Sequence, residues 1–276
     1  MNISSSLVPS LSRTSPLTVG LQLRVLGSGS SGNCSLISHG ETHVLIDAGF
    51  SYREISERLV QYGLQPEQLT AVLVTHEHGD HVRSAHTISR KMKIPIFTTE
   101  GTFATALQEK PLFDWVEVFP GRSFQLGAMV FHPITLPHDA ADPVGYRIEC
   151  GGRVMAHMTD FGYVSSLVRE SLRGCDLILL EANHDLDMLR NGPYPWSLKQ
   201  RIASKLGHLS NEAMLEVLQE IAHDGLEHIV FGHLSETNNN VPLLRAQVRQ
   251  TLRRMGLHEL AFTIARQDQI CDLLEV

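Results

Sequence analysis

One short segment, residues 75–81, constrains this chain more than any other. It contains the pattern His-x-His-x-Asp-His and follows an apolar run at residues 71–74 that has the length and β-branched content of a buried strand. Loops at strand ends are where a rigid scaffold presents site residues. Imidazole and carboxylate groups bind zinc and similar metals. Four of them within six residues cannot easily close on one ion but can hold two neighbouring ions, which predicts a metal-dependent hydrolase.

Composition narrows the class of protein. The 276 residues are 42% hydrophobic and 19% charged, enough for one large domain or two intimate halves. The net charge of -7 argues against nonspecific coating of polyanions, although it allows a local basic track. No apolar stretch approaches membrane-spanning length. Residues 1–20, rich in Ser, Thr and Pro, are predicted to be a flexible tail and not a signal peptide.

The cysteines point to a compartment. They are scattered and form no Cys-x-x-Cys pair, which suits buried thiols in a reduced cytoplasmic protein better than a disulfide framework. The four are Cys34, Cys150, Cys175 and Cys271. The sequence therefore predicts a cytoplasmic protein.

Short apolar strands end, one after another, at polar residues that can bind metal. The residues at these ends are Asp47, His76, Asp160, Glu181 and His233. We expect them to gather at one edge of the sheets. Helices interspersed with hairpins and isolated strands predict helices outside two packed sheets.

These motifs, in this order, resemble the metallo-β-lactamase superfamily. The matching positions are Asp47, His76, His78, Asp80, His81, His138, Asp160 and His233. The resemblance runs from about residue 21 to the C-terminus. It implies an α/β chain of the α+β type: an αββα sandwich of two packed mixed β-sheets flanked by helices, forming a single hydrolase domain over residues 21–276.

Within the superfamily, the chain resembles the YycJ/WalJ group. The segments that carry this likeness are residues 27–34, 181–185, 192–196 and 207–211. The layout around Glu181, His208 and His233 is also similar to tRNase Z and the PhnP phosphodiesterases. The resemblance implies cleavage of phosphodiesters, and for the YycJ/WalJ group a DNA exonuclease acting from the 5′ end. Fold alone does not fix this substrate.

The resemblance also implies a role for each matched residue. The first of two divalent ions would take His76, His78 and His138. The second would take Asp80, His81 and His233, and Asp160 would bridge both. Imidazole-rich ligation favours zinc, while the carboxylates tolerate manganese or iron.

Further residues are expected to support the chemistry. Asp80 is predicted to be catalytic as well as a ligand, and His208 is the candidate general acid because its motif matches the tRNase Z position. His184 is a second candidate, for phosphate contact or for support of His208. Asp47 and Glu181 are expected to orient ligands from behind and not to ligate.

A basic segment offers a candidate track for nucleic acid. Residues 188–211 contain no acidic residue, and Lys199 and Arg201 there could contact phosphates while Tyr194 and Trp196 stack on bases. The alternative is a solvated loop and helix whose aromatic side chains cover the core.

Two other features leave alternatives open. Ser31 and Asn33, in the glycine-serine run, could belong to an anion-accepting backbone nest or to a tight turn. On the last long helix, Arg245, Arg249 and Arg253 recur every four residues and are expected to form a solvent-facing stripe. DNA is the expected partner, and the sequence leaves monomer and homodimer both open.

Other functions compete with a nuclease. A thioester or lactone hydrolase of the glyoxalase II type would use the same metal motifs, although the segments around Glu181 and His208 favour the nuclease. A β-lactamase is disfavoured because Asp160 stands at the bridging position instead of Cys. A regulatory protein without activity is disfavoured by the intact ligand set.

Overall fold

The computed structural model of the protein describes residues 20–276. The predicted tail, residues 1–20, lies outside the described residues except for Gly20. Two sheets form the centre of the described part. The strands are β1 (Gln22–Gly27), β2 (Cys34–His39), β3 (Thr42–Ile46), β4 (Ala71–Leu73), β5 (Pro95–Thr98), β6 (Asp114–Glu117), β7 (Phe124–Leu126), β8 (Met129–Thr135), β9 (Val144–Cys150), β10 (Arg153–Met158), β11 (Leu177–Glu181), β12 (His228–Gly232), β13 (Ala261–Ile264) and β14 (Leu274–Glu275).

Helices lie in the connections between the strands. They are α1 (Tyr52–Val60), α2 (Gly79–Val82), α3 (Ala85–Met92), α4 (Glu100–Ala106), α5 (Ser166–Leu172), α6 (Leu186–Asn191), α7 (Trp196–Ile202), α8 (Asn211–Ile221) and α9 (Val241–Arg254). Among these helices, none combines the length and the apolar character needed to cross a bilayer.

Each sheet mixes parallel and antiparallel pairs. The first runs in the order β14-β1-β2-β3-β4-β5-β6, antiparallel as far as β3 and parallel beyond it. The second runs in the order β13-β12-β11-β10-β9-β8-β7, parallel as far as β10 and antiparallel beyond it. The predicted pair of mixed sheets is confirmed.

Three apolar layers hold the sheets and helices together. The two sheets bury Ile37 and Tyr146 between them. Leu59 of α1 packs outside the first sheet, and Met214 of α8 and Val248 of α9 pack outside the second. Fully burying a side chain of this kind is worth about 1.5–3 kcal/mol. The order helix, sheet, sheet, helix is the αββα sandwich that the resemblance implies.

Serine caps define where helices begin near the sheet edge. Ser51 accepts a hydrogen bond from Glu54 N and starts α1, and Ser210 accepts one from Ala213 N and starts α8. A cap of this type is worth about 1 kcal/mol.

The segment that begins within the metal motif and ends before β5 forms two short helices and not one. Residues 79–82 form α2 and residues 85–92 form α3, with Ser84 between them. Ser84 N donates to Ala48 O at 3.0 Å, so this part of the chain is bound to the loop after β3 and does not continue a helix. The break lets the metal motif fold back on the first sheet.

The strands that deliver the predicted site residues end at one edge of the sandwich. Asp47 follows β3, His76 lies just after β4, and His233 follows β12. Asp160 follows β10, and Glu181 is the last residue of β11. The edge predicted from strand ends is therefore the edge where these residues gather.

Candidate metal centre

Three of the site residues have a backbone conformation that costs energy. Asp47, Asp160 and His233 have φ values of 64°, 65° and 55°, in the left-handed region that residues with a Cβ seldom adopt. Such conformations cost on the order of 1–3 kcal/mol each and persist only where surrounding contacts enforce them. Each follows the end of a strand, so the same distortion turns all three side chains at this edge.

Backbone hydrogen bonds clamp the metal motif to the two neighbouring loops. Asn33 N donates to Asp80 O at 2.8 Å, and Ala48 N donates to His81 O at 2.7 Å. Gly49 makes this approach possible, because a Cβ there would lie 1.7 Å from Asp80 O. The loops after β1 and β3 therefore fix the position of the motif.

The first group of candidate ligands consists of three imidazoles. His78 Nδ1 lies 3.1 Å from His76 Nε2 and 3.3 Å from His138 Nε2. Two nitrogens on one tetrahedral zinc ion, each at about 2.0–2.1 Å, would lie about 3.3 Å apart. Burial, reinforced by neighbouring imidazoles, lowers the pKa of both His76 and His138. Three ring nitrogens that converge at these distances fit a divalent cation.

The second group is rich in carboxylates. Asp80 Oδ2 lies 3.4 Å from His81 Nε2 and 3.5 Å from His233 Nε2. Burial opposes charge on His81, yet the carboxylates of Asp160, Asp47 and Asp80 raise its pKa well above the ordinary value. Burial likewise opposes charge on His233, and Asp160 leads the groups that raise its pKa to about 10. The second group therefore favours positive charge.

Asp160 lies where the two groups meet. Its Oδ2 is 3.3 Å from His81 Nε2, and its Oδ1 is 3.3 Å from His233 Nε2. Ligand atoms of Asp160, His76 and His81 also lie within 4.8 Å of one another. Asp160 Oδ2 is buried and accepts no hydrogen bond from the described residues. A buried carboxylate oxygen without a donor is what a cation site requires, because desolvation is otherwise uncompensated.

Hydrogen bonds from behind aim the rings. His81 Nδ1 donates to Asp47 Oδ2 at 2.8 Å, which leaves Nε2 to face Asp80 and Asp160. His138 Nδ1 donates to Gly207 O at 3.0 Å, which leaves Nε2 to face His78. Asp47 therefore holds the His81 ring through the nitrogen that does not face Asp80 and Asp160.

Glu181 connects the second group to His208. Its Oε1 accepts from His208 Nδ1 at 2.7 Å and from His233 Nδ1 at 3.1 Å, and its Oε2 accepts from Phe161 N at 2.9 Å. Burial would raise the pKa of Glu181, but these two imidazoles, His208 first, hold it below the ordinary value. One buried carboxylate thus orients a candidate ligand and the candidate acid.

A cavity of about 180 Å³ opens beside His208. Ser30, Tyr194 and Arg201 are among the residues that line it. Arg201 Nε donates to Asp139 Oδ2 at 2.5 Å, so this guanidinium is already paired with a carboxylate next to His138. The structure brings two residues of the predicted basic track, Tyr194 and Arg201, to the cavity beside His208.

Other residues of the predicted track lie outside this cavity. Trp196 is 68% exposed, and Lys199 Nζ donates to the carbonyl of Arg190 at 2.8 Å. The track is therefore split: Tyr194 and Arg201 line the cavity beside His208, and Trp196 and Lys199 do not. Ser31, which belongs to the glycine-serine run and not to the track, is exposed, and its backbone N donates to Gln267 Oε1.

Asn33 and His184, two of the predicted site residues, contact neighbouring polar side chains. The Asn33 side chain accepts from Gly29 N at 3.1 Å and donates to Asp80 Oδ2 at 3.3 Å, so it joins the glycine-serine loop to the second group. His184 is buried, its Nδ1 faces Asn183 Oδ1 at 3.3 Å, and burial lowers its pKa to about 4. Within residues 20–276, His184 belongs to none of the groups that could hold a metal.

Sequence reasoning missed three residues that touch the site. Ser28 Oγ accepts from His233 N at 2.8 Å, and Asn183 Nδ2 donates to His233 O at 2.9 Å. Asp139 lies 3.5 Å from His138 Nε2. Asp139 directly follows a matched histidine, and Ser28 and Asn183 lie in segments 27–34 and 181–185 that carry the family likeness, so all three had a local signal.

Comparisons with known proteins give the family and the fold. The model of the Beta-lactamase superfamily domain matches residues 42–233. The chain is 34% identical to the exodeoxyribonuclease YycJ of Bacillus anthracis over 246 residues, which cover 86% of this chain and 91% of that protein. It is 36% identical to the exodeoxyribonuclease WalJ of Streptococcus pneumoniae over 227 residues, which cover 80% of this chain and 84% of that protein.

Solved structures agree with this fold. The metallo-β-lactamase fold protein YhfI from Bacillus subtilis aligns with a TM-score of 0.71 at 15% identity, covering 91% of this chain and 99% of that one. The short form of human tRNase Z aligns with a TM-score of 0.63 at 16% identity, covering 91% and 98%. At these identities the likeness concerns the fold alone.

Proposed function

The chain belongs to the metallo-β-lactamase superfamily, and from that premise we propose that it is a metal-dependent phosphodiester hydrolase, a DNA exonuclease acting from the 5′ end. The observation that carries this proposal is the position of His208, which Glu181 holds beside the candidate metal ligands, in a chain whose relatives are named exodeoxyribonucleases. These seven candidate ligands, called the cluster below, are His76, His78, Asp80, His81, His138, Asp160 and His233. A thioester hydrolase of the glyoxalase II type gains no comparable support.

We assign two divalent ions to the cluster, zinc first and manganese or iron as alternatives. His76, His78 and His138 would hold one ion, Asp80, His81 and His233 would hold the other, and Asp160 would touch both. When bound, such a pair supplies Lewis acidity toward a phosphoryl group and favours a nucleophile at neutral pH. The orphaned Oδ2 of Asp160 and the spacing of the imidazole nitrogens support this assignment.

His208 is the proton donor in this proposal. Departure of an alkoxide from a phosphodiester is slow unless its oxygen is protonated. Glu181 accepts the Nδ1 proton of His208, which fixes the ring, and His208 lines the cavity where the departing oxygen would lie. In its protonated form the ring can transfer the Nε2 proton to that oxygen. Glu181 acts here by positioning the His208 ring. We assign His184 to support of the loop that carries His208.

The cavity beside His208 would receive the end of the DNA. Tyr194 offers an aromatic face to a base, and Arg201, oriented by Asp139, offers a guanidinium to a phosphate. Asn33 acts in this assignment through Asp80, which is both ligand and catalytic carboxylate, so the glycine-serine loop is structural at that position. Trp196, Lys199 and Ser31 would contact the strand only outside the cavity.

A cytoplasmic location is part of the proposal. Cys34, Cys150 and Cys175 are buried free thiols, and Cys271 is a partly buried free thiol. Burial raises the pKa of all four thiols, which keeps them protonated and unreactive. Unpaired cysteines suit a reducing compartment.

One assay tests the proposed function. Enzyme reconstituted with zinc or manganese is given end-labelled single- and double-stranded DNA and RNA, with a thioester as comparator. We expect mononucleotides to be released from the 5′ end of DNA, and a chelator to stop the reaction. Faster hydrolysis of the thioester, or unchanged DNA cleavage in chelator, would contradict the proposal.

A further inference from the structure

The surface between α9 and the edge strand β13 contains a groove with unpaired positive charge. Two cavities of about 360 and 430 Å³ lie there, and Arg245 and Phe262 line both. The cavity of about 430 Å³, which we call the outer cavity, is also lined by Arg249 and Arg253. A third cavity, lined by Ser28, Ser235 and Val241, lies nearer to His208. We call these three cavities together the arginine groove.

The arginine groove adjoins the cavity beside His208. The third cavity, also of about 430 Å³, shares Ser235 with the cavity beside His208. It also shares Val241 and Arg266 with the next cavity along α9. The path therefore begins where the loop after β12 carries His233 and continues along α9 to the opposite end of the sheet.

The arginines at the far end are unneutralised. Within residues 20–276, the guanidinium groups of Arg245, Arg249 and Arg253 make no ion pair and donate no hydrogen bond. No carboxylate lines the outer cavity. By contrast, Arg201 of the predicted track is paired with Asp139. In a chain of net charge -7, three unpaired guanidiniums around one cavity form a local field that attracts anions.

The spacing of these side chains suits a chain of phosphates better than a single small anion. Residues four apart on a helix are separated by about 6 Å along its axis, so Arg245 and Arg253 are about 12 Å apart. Arg245 is held against the groove wall, its guanidinium 5.8 Å from the Phe262 ring centre. The carboxylates Glu236, Asp268 and Asp272 lie in the two nearer cavities, with Asp268 paired to Arg266. The anion-binding part is therefore the outer end.

We propose that the arginine groove binds the continuing strand of the nucleic-acid substrate, with its phosphates on Arg245, Arg249 and Arg253 while its end lies in the metal centre. This inference rests on the proposed action on DNA. In this proposal, the stripe of arginines that the sequence predicts to face solvent is a binding surface. Binding energy gained far from the scissile bond would hold a long strand through successive cleavages.

The test compares two variants with the same change in net charge. Arg249→Glu/Arg253→Glu reverses the groove, and Arg90→Glu/Arg122→Glu reverses two exposed arginines that line none of these cavities. Binding of a fluorescent 20-nucleotide single strand is measured in chelator, so that no cleavage occurs. We expect the groove variant to bind at least tenfold more weakly than the control variant. Its log-log salt dependence should be shallower by about 1.4, since each phosphate contact on a single strand contributes about 0.7.

Activity and a milder variant complete the test. The rise in KM for the 20-nucleotide strand should exceed the rise for a dinucleotide at least fivefold, and Arg249→Gln/Arg253→Gln should give an intermediate effect. A groove variant that binds within twofold of the control variant would overturn the groove and leave the proposed function intact. Wild-type protein that binds the strand through the groove but fails to cut it with metal would overturn the proposed function alone.

Discussion

The two halves of the candidate metal centre differ in the charge that they favour on their imidazoles. In the three-imidazole half, His76, His78 and His138, burial lowers the pKa of His76 and His138, which favours the neutral form of these two rings. In the other half, carboxylates raise the pKa of His81 and His233. The first half offers lone pairs, whereas the second offers negative charge. In the proposed site, two ions of the same kind would have different surroundings. The ion in the second half would lie nearer to Glu181 and to His208, the proposed general acid.

The largest effect is expected where the halves meet. Asp160→Asn keeps the side-chain size and tolerates the left-handed backbone at φ 65°, but removes the charge between the two groups. We expect kcat/KM on DNA to fall on the order of 10³-fold or more, since both ions lose a shared ligand. Steady-state kinetics, with Asp114→Asn as the exposed control, checks this. Activity within tenfold of wild type would show that the halves work independently of Asp160.

Removing the proton donor should affect one class of substrate more than another. His208→Ala should slow DNA cleavage about 10²–10⁴-fold, because the departing alkoxide needs a proton. Bis-nitrophenyl phosphate has a good leaving group, so its hydrolysis should fall by about tenfold or less. Parallel assays of the two substrates, with His39→Ala as control, measure the split. Equal losses would remove His208 from the role of acid and with it the asymmetry between the halves.

A smaller effect should separate the two halves by metal affinity. Asp47→Asn weakens the direct contact that orients His81, whereas Asp47 reaches the three-imidazole half only through Thr75 Oγ1, which lies 3.0 Å from His76 Nδ1. Mutation of such an orienting group typically costs about 10–100-fold in metal affinity. Zinc titration against a competing chelator should therefore show one strongly weakened site and one site that is less affected. Equal weakening of both sites would contradict the division into halves.

The smallest effect concerns a buried imidazole outside the cluster. His157 on β10 faces Ser35 Oγ at 3.0 Å, and burial lowers its pKa to about 4. Its folded pKa lies below the ordinary 6.5, so the stability it contributes is complete above pH 6.5 and is lost as pH falls toward 4. His157→Asn should flatten the acid side of the unfolding free energy by roughly 1–3 kcal/mol. Urea unfolding of metal-free protein between pH 7 and 4.5 measures this, and parallel curves would contradict it.

The sequence predicts the fold and the edge of the site because both depend on local patterns. Apolar runs ending at Asp47, Asp160 and His233 mark strands whose ends meet, and the serine caps at Ser51 and Ser210 mark helix starts. These signals are read within a few residues and need no knowledge of distant contacts.

The remainder depends on which distant segments meet. Arg201 pairs with Asp139 across 62 positions, which no local pattern reveals. Arg249 and Arg253 are exposed, as their helix spacing predicts, but that spacing does not reveal the cavity that they line against β13. The support given by Ser28 and Asn183 to His233 also joins distant segments.

The paired-cation site is the central claim, and a crystal structure of the full chain grown with zinc tests it most directly. Anomalous scattering at the zinc edge should show two ions, one on His76, His78 and His138 and one on Asp80, His81 and His233, with Asp160 between them. A single ion, or anomalous density away from these seven side chains, would contradict the account.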